Sequence, residues 1–88
     1  MSGFPYAVEV ELARARLNNS AFNSLHEGYA VLLEELDEVW EEVKRKPSER
    51  DLNLLLSEIV QVGAMAQRLA EDCVLSQALC GFTDTTLA

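Results

Sequence analysis

Apolar residues recur at steps of three and four through the middle of the chain: Leu25, Tyr29, Leu32, Leu36, Val39 and Val43. That period lays them along one side of an α-helix, and Leu33 and Trp40 widen the seam. A later run is apolar nearly all round, from Leu52 through Leu54, Leu55, Leu56, Ile59 and Val60 to Val62, Met65 and Leu69. A helix of that kind needs cover on several sides. Val, Ile and Thr form no alternating run, and no Asn-Gly or Asp-Gly hairpin signal occurs. The expected fold class is therefore all-α, an antiparallel bundle of three to four helices. Three short helices cover only part of the last apolar run, so dimerisation is expected to complete the bundle.

Local signals place the helix ends. Pro5 suits an early helical position, and Asn18–Ser20 close a first helix running from about Pro5 to Leu17. Ser24 with Glu27 three residues on forms a capping box for the second, which ends before Pro47. Ser48, with Asp51 three residues on, is the expected cap of a third helix from about Glu49 to Asp72, or as far as Leu79. Gly81 is a natural stop, and the tail after it is expected to be loose or docked on a partner.

Composition narrows the picture. The 88 residues suffice for one small domain spanning 1–88, and 49% apolar content excludes a disordered chain. A net charge of −8 argues against nucleic acid and anionic membranes as partners, since both call for Lys and Arg. No apolar run is long enough to span a bilayer, and the N-terminus lacks the layout of a signal peptide. A cytoplasmic location is the default. On one helix Cys73 and Cys80 would sit about 10 Å apart along the axis, too far to bridge; they read as buried or partly buried thiols. With His26 remote, a zinc site is not indicated.

The charge is concentrated. Glu34, Glu35, Asp37, Glu38, Glu41 and Glu42 precede the first basic residue of their helix, Lys44. Like-charged neighbours three and four apart cost roughly 0.2–0.5 kcal/mol each, about 1–3 kcal/mol over the set. Glu41 and Glu42 can reach Lys44, Arg45 or Lys46, but the first four acids have no such partner. On the helical wheel Glu35 and Glu38 border the apolar seam, where an unpaired carboxylate is costly. Glu58 is the only acid between Asp51 and Glu71, set in "LLLSEIVQVGAM". In an antiparallel hairpin turning near Pro47, residues near 38 face residues near 57, so Glu58 comes level with Glu35 and Glu38. Three converging acids repel unless a cation sits among them, and Mg²⁺ accepts such oxygen ligands while keeping several waters. The plain alternative is a solvated acidic face on the second helix and one tolerated Glu on the third; an acidic binding surface is another.

"EELDE", Glu34 to Glu38, followed by "SEIVQ", Ser57 to Gln61, resembles the MazG-like nucleoside triphosphate pyrophosphohydrolases, an all-α family. Their pattern is Glu-Glu-x-x-Glu, an interval, then Glu-x-x-Asp. Glu34, Glu35 and Glu38 match the first half, and nineteen residues separate them from Glu58. The resemblance covers about Leu25 to Leu69. It implies a four-helix-type bundle, a homodimer or dimer of dimers, and Mg²⁺-dependent (Mn²⁺ as substitute) cleavage of a (d)NTP to monophosphate and pyrophosphate. It implies metal ligands at Glu35, Glu38 and Glu58, with Glu35 and Glu38 also catalytic. The fourth ligand position holds Gln61 in place of Asp, a neutral and weaker ligand; Glu42, one turn past Glu38, is a possible substitute. If Gln61 abolishes turnover, the expected alternative is a noncatalytic helical dimer binding nucleotide or a protein.

Lys44, Arg45, Lys46 and Arg50 are candidates for triphosphate contacts, but their position at the hairpin turn also fits C-terminal dipole partners. Trp40 fits a core or dimer-interface position better than a base-stacking one, His26 belongs to the cap turn, and Met65 to the core.

Overall fold

The computed structural model describes residues 3–75. Within them lie three α-helices and no strand: α1 (Gly3–Asn18), α2 (Leu25–Val43) and α3 (Leu52–Leu69). Cys80, Gly81 and the tail fall outside the described residues. No helix of the described residues is long and apolar enough to cross a membrane.

The second helix begins where its cap is written. Ser24 is extended, and its hydroxyl accepts from the Glu27 backbone N–H at 3.0 Å. Glu27 reaches back to the Asn23 N–H at 2.6 Å, one residue before the cap itself. The third helix starts later than the Ser48 signal implies. Pro47–Glu49 form a single 3₁₀ turn, and Asp51 is the cap, accepting from the Leu54 N–H at 3.0 Å. Pro47 sets the chain into that turn, and Ser48 is consumed within it. After Leu69 the helix widens into a π turn, Ala70–Leu75, which carries the expected extension through Asp72 in altered form.

α3 packs against both other helices. It runs antiparallel to α2, because Glu42 meets Asp51 near the turn while Gly28 faces Leu69 at the far end. Gly28 is buried, and a Cβ there would run into the Leu69 and Phe22 side chains. The core is small: Val8, Leu12 and Ala15 of α1, Phe22 of the first loop, and Ala64 and Met65 of α3. Val31, Leu32, Val60, Leu69 and Cys73 pack against it.

The rotation of α2 departs from the sequence expectation. Leu25, Tyr29 and Leu36 belong to the predicted seam yet are exposed, as are Leu33 and Trp40. Of the seam, Leu32, Val39 and Val43 turn inward as expected, joined by Gly28, Val31, Glu35 and Glu42. Among the described residues, α2 thus has two apolar sides and packs only one. The same holds for α3, where Leu52, Leu54, Leu56 and Ile59 remain exposed.

A buried arginine ties the end of α3 to the first loop. Arg68 is 5% exposed and donates through Nη2 to the Ser20 carbonyl at 2.7 Å. Its guanidinium lies 4.0 Å over the Phe22 ring and 4.0 Å from Asp72 Oδ2. Asp72 also accepts from the Phe22 N–H at 3.0 Å and from Arg16 at 2.9 Å. Burial raises the Asp72 carboxyl, but these hydrogen bonds and the arginine charges outweigh it and hold the group below its ordinary range.

Candidate metal centre

The antiparallel register brings three acids together. One carboxylate oxygen from each of Glu35, Glu38 and Glu58 lies within 4.8 Å of the other two. Glu35 and Glu58 are half-buried and Glu38 is exposed. At about 100° per residue, Glu38 lies one turn on from Glu35 along the side of α2 nearest Glu58. Among the described residues, none of the three forms an ion pair with Lys, Arg or His.

The electrostatics follow from that lack. Glu58 is pushed above the ordinary carboxylate range, first by a hydrogen bond shared with Glu38, then by desolvation, then by repulsion from Glu38, Glu35 and Glu42. Two acids sharing a hydrogen bond cannot both ionise freely. Glu35 is raised chiefly by burial, and then by the charges of Glu38, Glu34 and Glu11.

Other sequence candidates fall elsewhere. Glu42 is 4% exposed and fully engaged: Oε2 accepts from the Asp51 N–H at 2.7 Å and Oε1 pairs with Arg45 at 3.2 Å. It serves the hairpin turn and is not a free fourth ligand. Arg50 donates to the Val43 carbonyl at 2.7 Å, capping α2, and Lys44 pairs with Glu41 at 3.1 Å. Gln61 is half-buried and lines a cleft of about 380 Å³ together with Glu35, Glu11, Arg14, Met65 and Arg68. On the other side of the acids, Arg45 and Leu54 border a smaller hollow of about 240 Å³ with Glu38, Glu41, Glu42 and Glu58. The three carboxylates therefore stand between two hollows.

Two residues of this region escaped the sequence reading. Glu11 of α1 reaches the cleft and acts on Glu35; its own partner is Arg14 at 2.7 Å. The i,i+3 spacing of Glu11 and Arg14 was visible, but α1 has almost no one-sided apolar pattern to show which side faces inward. Arg68 stands among apolar residues of α3 and gave no warning except its i,i+4 relation to Asp72.

No protein-family model, no curated protein and no solved structure matches the chain.

Proposed function

We propose that this chain is a Mg²⁺-dependent nucleoside triphosphate pyrophosphohydrolase of the MazG-like kind, converting a (d)NTP to the monophosphate and pyrophosphate. The observation that carries the reading is the convergence of Glu35, Glu38 and Glu58 oxygens within 4.8 Å with no basic partner among the described residues.

The donor set fits the ion. Three carboxylates are hard oxygen ligands of the kind Mg²⁺ takes, and small side-chain rotations from the observed spacing would bring them onto one ion. Glu35, Glu38 and Glu58 would hold the ion, with the amide oxygen of Gln61 as a weak fourth ligand. Bound there, it would neutralise phosphate charge and acidify water.

The chain's own groups do the rest. Glu35 or Glu38 takes the proton of the water that attacks the α-phosphorus, and the bond to the bridging oxygen of the β-phosphate breaks. The cleft beside Glu35 is within the size range of small-molecule sites. A cytoplasmic homodimer or dimer of dimers is the working unit in this proposal.

A second reading is favoured by Gln61: the neutral side chain weakens the ion's hold, leaving a helical dimer that binds nucleotide or protein without turnover. The deciding experiment is pyrophosphate release with Mg²⁺ across canonical and modified (d)NTPs, in the parent and in Glu38→Gln. Release by the parent and loss in the variant supports the enzyme. Thermal stabilisation by nucleotide without release supports the second reading. Absence of any response to Mg²⁺, Mn²⁺ or nucleotide defeats the enzyme and the nucleotide-binding dimer alike.

A further inference from the structure

Given a nucleotide ligand, as the proposed function has it, we infer that the cleft beside Glu35 holds the base and selects one carrying both an exocyclic amine and a ring carbonyl, cytosine or guanine. Glu35 belongs at once to the cleft wall and to the acid cluster, so a ligand in the cleft meets the cluster at one end.

The acceptors of the cleft are in place and unengaged. Asn18 and Asn19 line it, and each turns Nδ2 back onto α1, donating to the Arg14 and Ala15 carbonyls at 3.0 Å. No hydrogen bond among the described residues uses either Oδ1. Glu27 also lines the cleft; its Oε1 accepts from the Asn23 N–H at 2.6 Å, and its Oε2 has no partner among the described residues. Two amide oxygens and one carboxylate oxygen call for a ligand with N–H groups. Glu27 leads the set, because a hydrogen bond to a charged acceptor is about twice as strong as a neutral one.

The fixed donors come down to one residue. Arg14 lines the cleft, but Glu11 holds its Nε and Nη2 at 3.1 and 2.7 Å. The Ser20 hydroxyl and the Gln61 amide can donate or accept, so they do not discriminate. Arg68 remains. It is buried, gives Nη2 to the Ser20 carbonyl, and through Nη1 meets only the Met65 sulfur at 3.5 Å. Thioether sulfur is a weak acceptor, and Nε of the same guanidinium is shielded without a hydrogen-bond partner. A buried cation matched so poorly gains from an oxygen at Nη1. A ring carbonyl supplies that oxygen without charge. A phosphate does not suit the cleft, since Glu11, Glu27 and Glu35 line it and repel an anion. The base therefore takes the cleft and the phosphates lie on the side of the acid cluster. Ala15, Phe22, Val31 and Met65 supply apolar walls for a flat ring, and the Arg68 guanidinium fixes Phe22 from 4.0 Å over its ring.

The same inventory rejects the other bases. Uracil and thymine present a carbonyl where cytosine presents its amine, which sets oxygen against the Glu27 carboxylate. Adenine has the amine but no carbonyl for Arg68. A polar group left unpaired in a closed site costs more than its hydrogen bond gains.

Equilibrium titration of the full chain with dCMP, dGMP, dUMP and dAMP tests this, because a monophosphate is not turned over in the proposed reaction. Calorimetry should show dCMP and dGMP bound roughly tenfold tighter than dUMP and dAMP. Backbone amide NMR shifts should centre on Asn18, Asn19 and Phe22. Glu27→Gln keeps the side-chain length and the acceptor for the Asn23 N–H, but puts an NH₂ donor in place of the unengaged oxygen. It should bring dCMP and dUMP to within about twofold of each other. Equal binding of the four, or a preference for dUMP or dAMP, overturns the base assignment while leaving pyrophosphate release untouched. Shifts confined to the hollow on the other side of the acids overturn it too, as does full discrimination in a folded Glu27→Gln. Should that variant fail to fold, the ranking by the parent decides alone. No binding of any of the four, with or without Mg²⁺, removes both the base assignment and the nucleotide function beneath it.

Discussion

Glu38→Gln should make the protein more stable without divalent ions and less stable with them. Glu38 is the acid whose neutralisation relieves both of the others. Unit charges up to 4.8 Å apart repel by about 1 kcal/mol in water and by about 3–4 kcal/mol at an effective dielectric of 20. Glu38 is exposed, so the lower figure applies, and the raised Glu58 pKa softens it further. Removing two such pairs should stabilise the metal-free protein by about 1–2 kcal/mol at low salt, with each kcal/mol worth roughly 4–8 °C in a domain of this size. Glutamine keeps the length of the side chain and can still donate to Glu58, so packing is undisturbed. With Mg²⁺ the order reverses. If the proposed site holds the ion, Mg²⁺ at about 100 times its dissociation constant would stabilise the parent by about 2.7 kcal/mol, and the variant would lack one ligand. Thermal melts followed by circular dichroism, in chelator and in millimolar Mg²⁺, should therefore cross. Parallel shifts refute the reasoning, and so does a variant that melts with the parent in chelator.

Metal-free stability should decline as pH rises above the ordinary carboxylate value of 4.5. Glu35 and Glu58 are raised in the folded state, so the stability they contribute is present below that value and is lost as they ionise. Melts in chelator across pH 4.5–7.5 check it, and Mg²⁺ should flatten the slope. Glu71 and Asp72 are lowered, so their contribution runs the other way and is lost only as pH falls further. Gln61→Asp should tighten Mg²⁺ binding in a calorimetric titration by adding a charged ligand beside Glu35; equal or weaker binding in a folded variant removes Gln61 from the site. Arg68→Met should lower stability by about 2–4 kcal/mol in denaturant titration, because the Ser20 carbonyl and Asp72 lose a buried partner.

What was readable in the sequence was what depends on neighbours along the chain. The Ser24 cap and the α2 period are local, and the meeting of Glu35, Glu38 and Glu58 needs only an antiparallel hairpin of known turn position. The rotation of α2 was not readable. Leu25, Tyr29 and Leu36 are as apolar as Leu32 and Val39, and composition alone does not say which of two apolar sides meets α3. The cap of α3 was read at Ser48, with Asp51 three residues on; the 3₁₀ turn at Pro47 takes up Ser48 and leaves the capping to Asp51. α1 has so little one-sidedness that its inward residues, Val8, Leu12 and Ala15, and the reach of Glu11 into the cleft emerge only from the packing.

The Glu42 hydrogen bond to the Asp51 N–H works as a ruler. It ties the last turn of α2 to the first residue before α3 and thereby counts out which residues stand opposite one another. Adding one residue between Val43 and Asp51, on an exposed loop that ordinarily tolerates insertion, would either break this tie or turn α3 by about 100°. In the second case Glu58 swings away from Glu38. The spacing of the hairpin turn is thus part of the site, although no atom of the turn lies within it.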